Sequence, residues 1–307
     1  MPVVPEAETI ARGLRPLLEG RTIRHLEVVY EDVLPQDVGT VRRAVRERRI
    51  DGVSRRGKNL VLFLTDRARA EDSLPAGGSP SKDTDPTDTV LLVNLGMTGR
   101  LLVVPDPPPP ERTSGEGPTH PALRFPLDDG RTLVYDDIRR FGRVEALAPE
   151  EWRERSRSLG PEPLDPTLTP RDLVDRLGSS RSPIRNVLLD QKRIAGVGNI
   201  YANEALHRAG IHPRRTAESL DEEDFGRLLA ELRRLLAAAI EAGGTTIQDY
   251  RDASGRRGRY SRHLRVYDRE GRPCRRCGEP IERIVFGNRS AFLCPRCQPA
   301  EPSQDGR

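Results

Sequence analysis

The sequence of 307 residues lacks any long apolar run, and only 4% of its residues are aromatic. A membrane-spanning helix needs about 20 consecutive apolar residues, so we expect no membrane partner. The chain also has no basic segment followed by an apolar stretch near its start, which argues against a secretory signal. We therefore expect a cytoplasmic protein, long enough for two or three domains with a buried core.

The sequence also has little excess of either charge, since its net charge is only +4 while 32% of its residues are charged. The distribution is uneven: residues 250–298 hold thirteen arginines and five acidic residues, whereas residues 71–88 are acidic. A basic region beside a nearly neutral remainder favours a polyanionic partner, in particular nucleic acid. The alternative is an arginine-rich solvated surface that reflects a GC-rich genome.

Cysteine is absent except in the last 34 residues, which hold two CxxC pairs: Cys274, Cys277, Cys294 and Cys297. Two such pairs separated by 16 residues are typical of a four-cysteine zinc site. Turn-forming residues at 278–280 and 287–288 predict a β-hairpin between them. Two disulfides are the alternative, which an intracellular location disfavours. Four thiolates complete a tetrahedron, so we expect one structural Zn²⁺ and no catalytic metal.

The first half of the chain has the pattern of a β-rich domain. A helix is predicted over residues 5–18, where apolar residues recur with helical spacing, Pro5 stands near the start and Gly20 follows the end. The Asp-Asp-Gly segment 128–130 is typical of a hairpin turn. Many strands with short connections predict an antiparallel sandwich to about residue 150. The predicted strands are residues 23–29, 50–53, 60–64, 90–95, 101–104, 122–125, 132–135 and 143–147.

Two stretches interrupt this pattern, and the second half then changes character. Residues 67–88 and 105–119 are rich in Pro, Gly, Ser, Thr and Asp, so we interpret them as exposed insertions and assign them no function. Helical periodicity dominates afterwards and predicts an α+β protein. The predicted helices are residues 171–177, 184–191, 200–209 and 221–242.

Pro2 is a candidate nucleophile if Met1 is removed, because it then presents a free secondary amine. Such an amine titrates near about 8, so a useful fraction is unprotonated at neutral pH. It can attack a sugar carbon and form an iminium. Proline at position 2 is common and usually has no such role, so the rest of the chain must decide.

The most specific run is Ile-Ala-Gly-Val-Gly-Asn-Ile-Tyr-Ala at residues 194–202. Two glycines open a tight turn and a helix begins at Asn199, so backbone N–H groups and the Asn amide can cradle a phosphate. A simple turn between two helices would explain the glycines alone.

With its other motifs, the chain resembles the formamidopyrimidine-DNA glycosylase family of bacterial helix–two-turn–helix repair enzymes. The match runs from Pro2 to Gln298, broken mainly by the two insertions, and the loop at 251–267 resembles the formamidopyrimidine and 8-oxoguanine branch. The motifs are Pro-x-x-Pro-Glu-x-Glu-Thr from Pro2, Arg56-Gly57-Lys58, Leu-Gly-Met-Thr-Gly at 95–99, Asp-Ile-Arg-Arg-Phe-Gly at 137–142, Leu-Gly-Pro-Glu-Pro-Leu at 159–164, the run at 196–201, Gly-Gly-Thr-Thr at 243–246, and the four-cysteine segment with Arg289.

The resemblance implies an α+β fold with an N-terminal antiparallel β-sandwich domain flanked by helices. A helix–two-turn–helix domain and a β-hairpin zinc finger would follow. The implied limits are 1–150 for the catalytic domain, 151–264 for the helical DNA-binding domain, 265–300 for the zinc finger and 301–307 for a tail.

The resemblance also implies roles for individual residues. Pro2 would displace the damaged base at the deoxyribose C1′ as a Schiff-base nucleophile, after which the 3′ and 5′ phosphates leave by β- and δ-elimination. Lys58 would contact a phosphate and assist β-elimination, although ordinary surface charge is its alternative. Arg289 would grip phosphates and act in δ-elimination. The space left by the flipped nucleotide would be filled by Met97, Arg139 and Phe141, and the implied DNA contacts include His120, Arg139 and Asn199.

Several positions depart from the family pattern. Val3 stands where the family has the glutamate that protonates the deoxyribose, and general acid–base assistance is typically worth roughly 10²–10⁴-fold. Glu6 is the nearest possible substitute, with a supporting role in the family. Asn94 stands where histidine is usual, and Ser180 where a basic phosphate contact is common, with Arg181 adjacent.

We therefore expect a monomeric, nucleoid-associated enzyme that excises oxidised purines, 8-oxoguanine and formamidopyrimidines, from double-stranded DNA and cleaves the abasic site. The alternative is a damaged-DNA-binding protein or an abasic-site lyase whose glycosylase step is impaired by Val3.

Overall fold

The computed structural model of the chain describes residues 3–66, 88–105, 117–246, 257–287 and 289–300. Pro2, most of the two predicted insertions and the loop at 247–256 lie outside the described residues. In the part that is described, no helix has the length and apolar character needed to cross a membrane.

The chain divides into two compact units, which are described separately. One unit comprises Met1–Ser158 with Ala242–Arg259, and the other comprises Leu159–Glu241 with Tyr260–Arg307. The domain limits expected from the sequence stay a prediction.

The first unit is built on two antiparallel sheets that share one apolar core. All the predicted strand segments are strands, but the segment predicted as one strand over residues 23–29 is divided between the two sheets. The five-stranded sheet has the order β1 (Thr22–Ile23), β3 (Arg48–Arg56), β4 (Asn59–Asp66), β5 (Thr89–Asn94) and β9 (Arg143–Leu147). The four-stranded sheet has the order β2 (Glu27–Val28), β7 (Pro121–Pro126), β8 (Arg131–Asp136) and β6 (Arg100–Pro105).

The predicted N-terminal helix is confirmed as α1 (Val4–Leu18). Its apolar stripe at Ile10, Leu14 and Leu18 is buried in the sandwich core, where the helix packs against β3. Spacing of three or four residues places these side chains on one face, so burial of that face fixes the helix on the sheet.

Two helices of the first unit were not predicted, α2 (Val38–Val45) and α3 (Pro149–Arg157). Helix α2 has eight residues, and its apolar face of Val38, Val41, Ala44 and Val45 packs against the core. Helix α3 buries only Trp152. Both helices are short, so their periodic signal is weak in the sequence. The detectable signals were a helix-capping aspartate before α2 and a proline at the first position of α3.

The second unit contains the predicted helices and the predicted hairpin. Gly287 has a φ of +56° in the turn between the two hairpin strands, where residue 288 lies outside the described residues. The α+β class, the sandwich and the β-hairpin are therefore confirmed. The elements are α4 (Pro170–Leu177), α5 (Ile184–Leu189), α6 (Asn199–Ala209), α7 (Glu222–Glu241), β10 (Glu282–Phe286) and β11 (Arg289–Leu293).

Candidate functional site

The start of α1 is fixed by the buried carboxylate of Glu6. Its Oε2 accepts a hydrogen bond from the backbone N–H of Val3 at 3.0 Å, and its Oε1 accepts one from the backbone N–H of Thr245 at 2.8 Å. The side chain of Val3, at the N-cap position, has no acceptor, so it cannot cap the helix itself. Val3 is buried and directly follows Pro2, which lies outside the described residues.

Lys58 lies in the tight turn between β3 and β4, and a polar link joins this turn to the next loop. Asn59 pairs with Asn94 across β4 and β5. Asn94 Nδ2 donates to Asn59 Oδ1 at 2.8 Å, and Asn94 Oδ1 accepts from the backbone N–H of Gly96 at 2.9 Å. Asn94, which stands where histidine was expected, therefore connects the Lys58 turn to the loop that carries Met97.

Met97, Arg139 and Phe141 form a cluster on the surface of the first unit. Arg139 Nη1 donates to Met97 Sδ at 3.4 Å, and the Arg139 guanidinium carbon lies 4.6 Å from the ring centroid of Phe141. Met97 is 45% exposed and Phe141 is 59% exposed, which is unusual for large apolar side chains. The resemblance implies that these three residues act together, and in the structure Arg139 contacts both of the others.

Asp137 organises this cluster, although the sequence analysis assigned it no role. It is 1% exposed, and its two carboxylate oxygens accept four hydrogen bonds, so it holds the strand and both loops in one arrangement. The donors are Thr98 Oγ1 at 2.5 Å, Tyr135 OH at 3.0 Å, Gly142 N at 3.0 Å and Arg139 N at 3.2 Å. Its place at the head of the 137–142 motif was the only available signal.

The two loops approach so closely that glycine is required at both contact points. A Cβ atom at Gly96 would lie 2.6 Å from the backbone nitrogen of Gly142, and Gly96 has a φ of +57°. A Cβ atom at Gly142 would lie 2.5 Å from the backbone oxygen of Asn94. Packing therefore explains the glycines at these two positions of the Leu-Gly-Met-Thr-Gly and Asp-Ile-Arg-Arg-Phe-Gly motifs.

Arg140, between Arg139 and Phe141, has a φ of +52°. A left-handed conformation costs a residue with a Cβ atom about 1–2 kcal/mol, so its surroundings must stabilise it. His120 lies at the start of β7, where its backbone oxygen accepts a hydrogen bond from the Asp137 N–H at 3.1 Å. The His120 side chain is exposed, with Nδ1 3.0 Å from Thr119 Oγ1.

In the second unit, Asn199 is held by its side chain at the first residue of α6. Asn199 Oδ1 accepts from Arg185 Nη2 at 2.7 Å, and Asn199 Nδ2 donates to the Ser290 backbone oxygen at 3.1 Å. Arg185 is 2% exposed, and its guanidinium stands over the ring of Phe286, 5.1 Å from the centroid. Burial, with the nearby positive charge of Arg289, holds the pKa of Arg185 below its usual value.

Arg289 is exposed at the first position of β11 and borders a cleft of about 670 Å³ that also includes Asn199. The two residues predicted to contact phosphates in this half of the chain therefore line one cleft. Its remaining lining residues are Tyr267, Asp268, Glu270, Arg272, Arg283, Ser290 and Phe292. Ser180 is 8% exposed, whereas the side chain of the adjacent Arg181 is 90% exposed.

The four cysteines converge beside the base of the hairpin, where all four Sγ atoms lie within 4.8 Å of one another. The Cys277–Cys294 Sγ distance is 3.4 Å and the Cys274–Cys297 distance is 3.9 Å. Zinc–sulfur bonds of about 2.3 Å in a tetrahedron give sulfur separations of about 3.8 Å, so the geometry fits zinc. Burial and the neighbouring thiols raise the pKa of Cys297 to about 12, and a divalent cation supplies the charge that lets such thiolates coexist. The cluster is one structural zinc site.

Two buried residues of α6 support this region, and the sequence analysis missed both. Glu204 accepts hydrogen bonds from three consecutive backbone N–H groups, of which those of Val266 and Tyr267 lie at 2.8 and 3.0 Å from Oε1. His207 is fully buried, and its Nε2 lies 3.6 Å from Cys274 Sγ. Burial, with nearby arginines, lowers the pKa of His207 to about 4, so the ring is neutral at pH 7.

Three family models match the chain. The model described as the formamidopyrimidine-DNA glycosylase N-terminal domain matches residues 1–144. The model of the formamidopyrimidine-DNA glycosylase H2TH domain matches residues 159–251, and that of the zinc finger found in FPG and IleRS matches residues 271–300.

Similar proteins cover nearly the whole chain. The formamidopyrimidine-DNA glycosylase of Chloroflexus aggregans is 42% identical over 299 residues, which cover 97% of this chain and 98% of that protein. The one from Thermomicrobium roseum is 43% identical over 308 residues, covering 97% and 99%. A solved structure of a Lactococcus lactis FPG mutant with Fapy-dG-containing DNA has a TM-score of 0.82 and 28% identity, covering 97% of this chain and 100% of that chain. A complex of the Lactococcus lactis enzyme with DNA containing an abasic site has a TM-score of 0.81 at the same identity and coverage.

Proposed function

Because the chain belongs to the formamidopyrimidine-DNA glycosylase family, we propose that it excises oxidised purines from duplex DNA and then cleaves the abasic site. The preferred substrates are 8-oxoguanine and formamidopyrimidines, and the partner is damaged double-stranded DNA. The protein acts as a monomer on cytoplasmic, nucleoid-associated DNA. The observation that carries the proposal is the contact of Met97, Arg139 and Phe141, a surface cluster whose chemistry suits an extruded nucleotide.

The chemistry starts at the Pro2 amine. Attack on C1′ breaks the glycosidic bond and releases the base, which leaves with a proton. The C1′–O4′ bond then opens as O4′ takes a proton, and the resulting iminium acidifies the neighbouring C2′–H. A secondary amine suits this task because its imine always carries a positive charge. Loss of the C2′ proton then expels the 3′ phosphate, whose negative charge Lys58 neutralises. A second elimination, in which Arg289 binds the departing phosphate, releases the 5′ phosphate. Support comes from α1, which begins two residues after Pro2 with its first turn held by Glu6.

The side chains of the surface cluster suit the gap that an extruded nucleotide leaves in the DNA duplex. An exposed thioether and an exposed phenyl ring can enter the gap, and the guanidinium between them can donate hydrogen bonds to the orphan base. Extrusion costs a few kcal/mol, which such an insertion offsets by replacing the lost stacking. In the second unit, Asn199 and Arg289 line a polar cleft and can donate hydrogen bonds to phosphate oxygens.

A second function, that of an abasic-site lyase or damaged-DNA-binding protein, is favoured by one observation. Val3 is 5% exposed and aliphatic, so it cannot protonate the deoxyribose ring as the family glutamate does. Glu6 is no simple replacement, because both of its oxygens accept backbone N–H donors. The glycosylase step should therefore be slow, whereas the amine chemistry on a ring-opened abasic sugar needs no such acid.

Borohydride trapping separates these functions, because it reduces the iminium to a stable covalent link. We expect a trapped complex with duplex DNA that contains 8-oxoguanine, formed more slowly than with DNA that contains a pre-formed abasic site. Trapping with abasic DNA alone assigns the protein as a lyase. Trapping with neither duplex, together with retained binding of both, assigns it as a damage-binding protein and contradicts the proposal.

A further inference from the structure

We propose that Asp32 and Tyr30 are positioning residues that act through Arg140. They hold the loop of Arg139 and Phe141 in the conformation that inserts into DNA and reads the base opposite the lesion. The inference rests on the proposed function and extends it to the selection of the opposite base.

The observation is a side-chain clamp on Arg140. Arg140 Nε donates to Asp32 Oδ2 at 2.7 Å, and the Arg140 guanidinium carbon lies 4.6 Å from the ring centroid of Tyr30. One edge of the guanidinium is thus engaged by a carboxylate and one face by an aromatic ring, the two partners that a guanidinium prefers.

The clamp acts on a strained backbone position. Arg140 has a φ of +52°, and the residues before and after it face each other, with the Arg139 guanidinium over the Phe141 ring. A left-handed residue turns the chain sharply, which is what allows side chains two positions apart to meet. If Arg140 relaxed to an ordinary conformation, Arg139 and Phe141 would separate.

Tyr30 and Asp32 both lie in a segment that is attached to the sandwich. The backbone N–H of Tyr30 donates to the Ala122 oxygen of β7 at 3.2 Å. Asp32 lies in the short 3₁₀ turn Glu31–Val33, whose Val33 is fully buried in the sandwich core. Through Arg140, these two residues therefore hold the exposed loop in a fixed position relative to the core.

The rival role for Arg140 is direct contact with a DNA phosphate, and the two roles predict opposite effects of the same variants. Under the rival role, Asp32→Asn removes a competing negative charge and tightens DNA binding, while Arg140→Ala and Arg140→Gly are equally harmful. Under the proposal, Asp32→Asn loosens the loop. Arg140→Ala is then worse than Arg140→Gly, because only glycine adopts a positive φ without strain.

The test uses the full-length protein and a duplex with the same lesion opposite each of the four bases. Opposite-base discrimination is the ratio of the fastest to the slowest incision rate. Since the Asp32–Arg140 ion pair is exposed, we expect Asp32→Asn to lower this ratio by about two- to fivefold. Arg140→Ala should lower it by about tenfold, because it also strains the backbone, and Arg140→Gly should lower it less. The double variant Asp32→Arg with Arg140→Asp should restore the ratio in part. Glu31→Gln, a change of equal charge on the same turn, should leave it unchanged. Equal effects of the two Arg140 variants, or DNA binding that is tighter for Asp32→Asn than for the charge-matched Glu31→Gln, would overturn the proposal.

A second readout separates this proposal from the proposed function. Fluorescence of 2-aminopurine opposite an uncleavable abasic analogue reports insertion of the loop and needs no catalysis. If the wild type neither incises nor traps DNA, the proposed function fails, yet the clamp still predicts that insertion decreases in the order wild type, Arg140→Gly, Arg140→Ala. If the wild type is active and all variants insert alike, the clamp alone is contradicted.

Discussion

The backbone N–H of Thr245 donates to Glu6 Oε1 at 2.8 Å, which ties two residues 239 positions apart. The other oxygen of the same carboxylate accepts from the N–H of Val3 at 3.0 Å. Glu6 therefore fixes the first turn of α1, and with it the residue that follows Pro2, to a distant segment of the same unit. A side chain in a family motif that could be mistaken for a proton donor acts here as an acceptor of two backbone N–H groups.

Glu6→Gln tests this structural role. Glutamine has one acceptor oxygen, so its amide N–H₂ must face either the Val3 or the Thr245 donor, and a buried unsatisfied donor costs about 1–3 kcal/mol. We expect the free energy of unfolding in urea to fall by about that amount, with a parallel loss of borohydride trapping. The control is Glu223→Gln, since Glu223 has an exposed side chain and an ion pair with Arg227 on the helix surface. Equal small effects of both variants would show that Glu6 has no special role.

Pro2→Gly tests the nucleophile. The variant replaces the secondary amine by a primary one, whose imine is neutral unless it is protonated, so we expect much slower incision of 8-oxoguanine DNA and little trapped complex. The intact mass of the purified protein must first show that Met1 has been removed, because a retained methionine blocks the amine in wild type and variant alike. Unchanged incision by Pro2→Gly, with Met1 absent from both proteins, would show that the reaction uses another nucleophile.

Val3→Glu tests the missing proton donor. A glutamate at this position can protonate the deoxyribose ring, so base excision should rise by a factor of roughly 10² or more. The measurement is the single-turnover rate with 8-oxoguanine DNA, divided by the rate with pre-formed abasic DNA to remove effects on the lyase step. Val3→Gln is the matched control, because glutamine has nearly the same shape and no acidic proton. A gain with both variants would indicate packing, and no gain with Val3→Glu would indicate that another group already supplies the proton.

Sequence patterns predicted most helices and strands and missed two short helices of the first unit. Ile10, Leu14 and Leu18 predict α1 over 15 residues, whereas α2 has only eight residues, among them Gly39 and Thr40, which have low helix propensity. The site divides in the same way. The motifs pointed to the three residues of the surface cluster, but nothing local indicates that Asp137 accepts four hydrogen bonds there.

Some buried acceptors are paired with distant backbone groups, which no periodicity reveals. Glu204 accepts from backbone N–H groups 61 to 63 positions later in the chain. His207 meets Cys274 only because α6 packs beside the cysteine cluster. Contacts of buried polar side chains with residues far along the chain are therefore the part of this structure that the sequence did not predict.

Metal content tests the cysteine cluster and the role of His207 beside it. Freshly purified protein should contain about one equivalent of zinc, because the four thiolates complete the tetrahedral coordination of the ion. Less than about half an equivalent would contradict the site. His207→Gln should lower zinc affinity by about 10–100-fold, since it disturbs a group in contact with a ligand sulfur.

The affinity is measured by competition with a chromophoric chelator, which requires no DNA and no activity. His25→Gln is the control, because His25 has an exposed side chain in the other unit. Complete removal of zinc should unfold the hairpin of β10 and β11 and disorder Arg289 with it, so phosphate-dependent DNA binding should decrease. Zinc added back should restore both the hairpin and the binding, since the free energy of metal binding is also free energy of folding at such sites. Binding that survives full chelation would show that Arg289 needs no metal to hold its position.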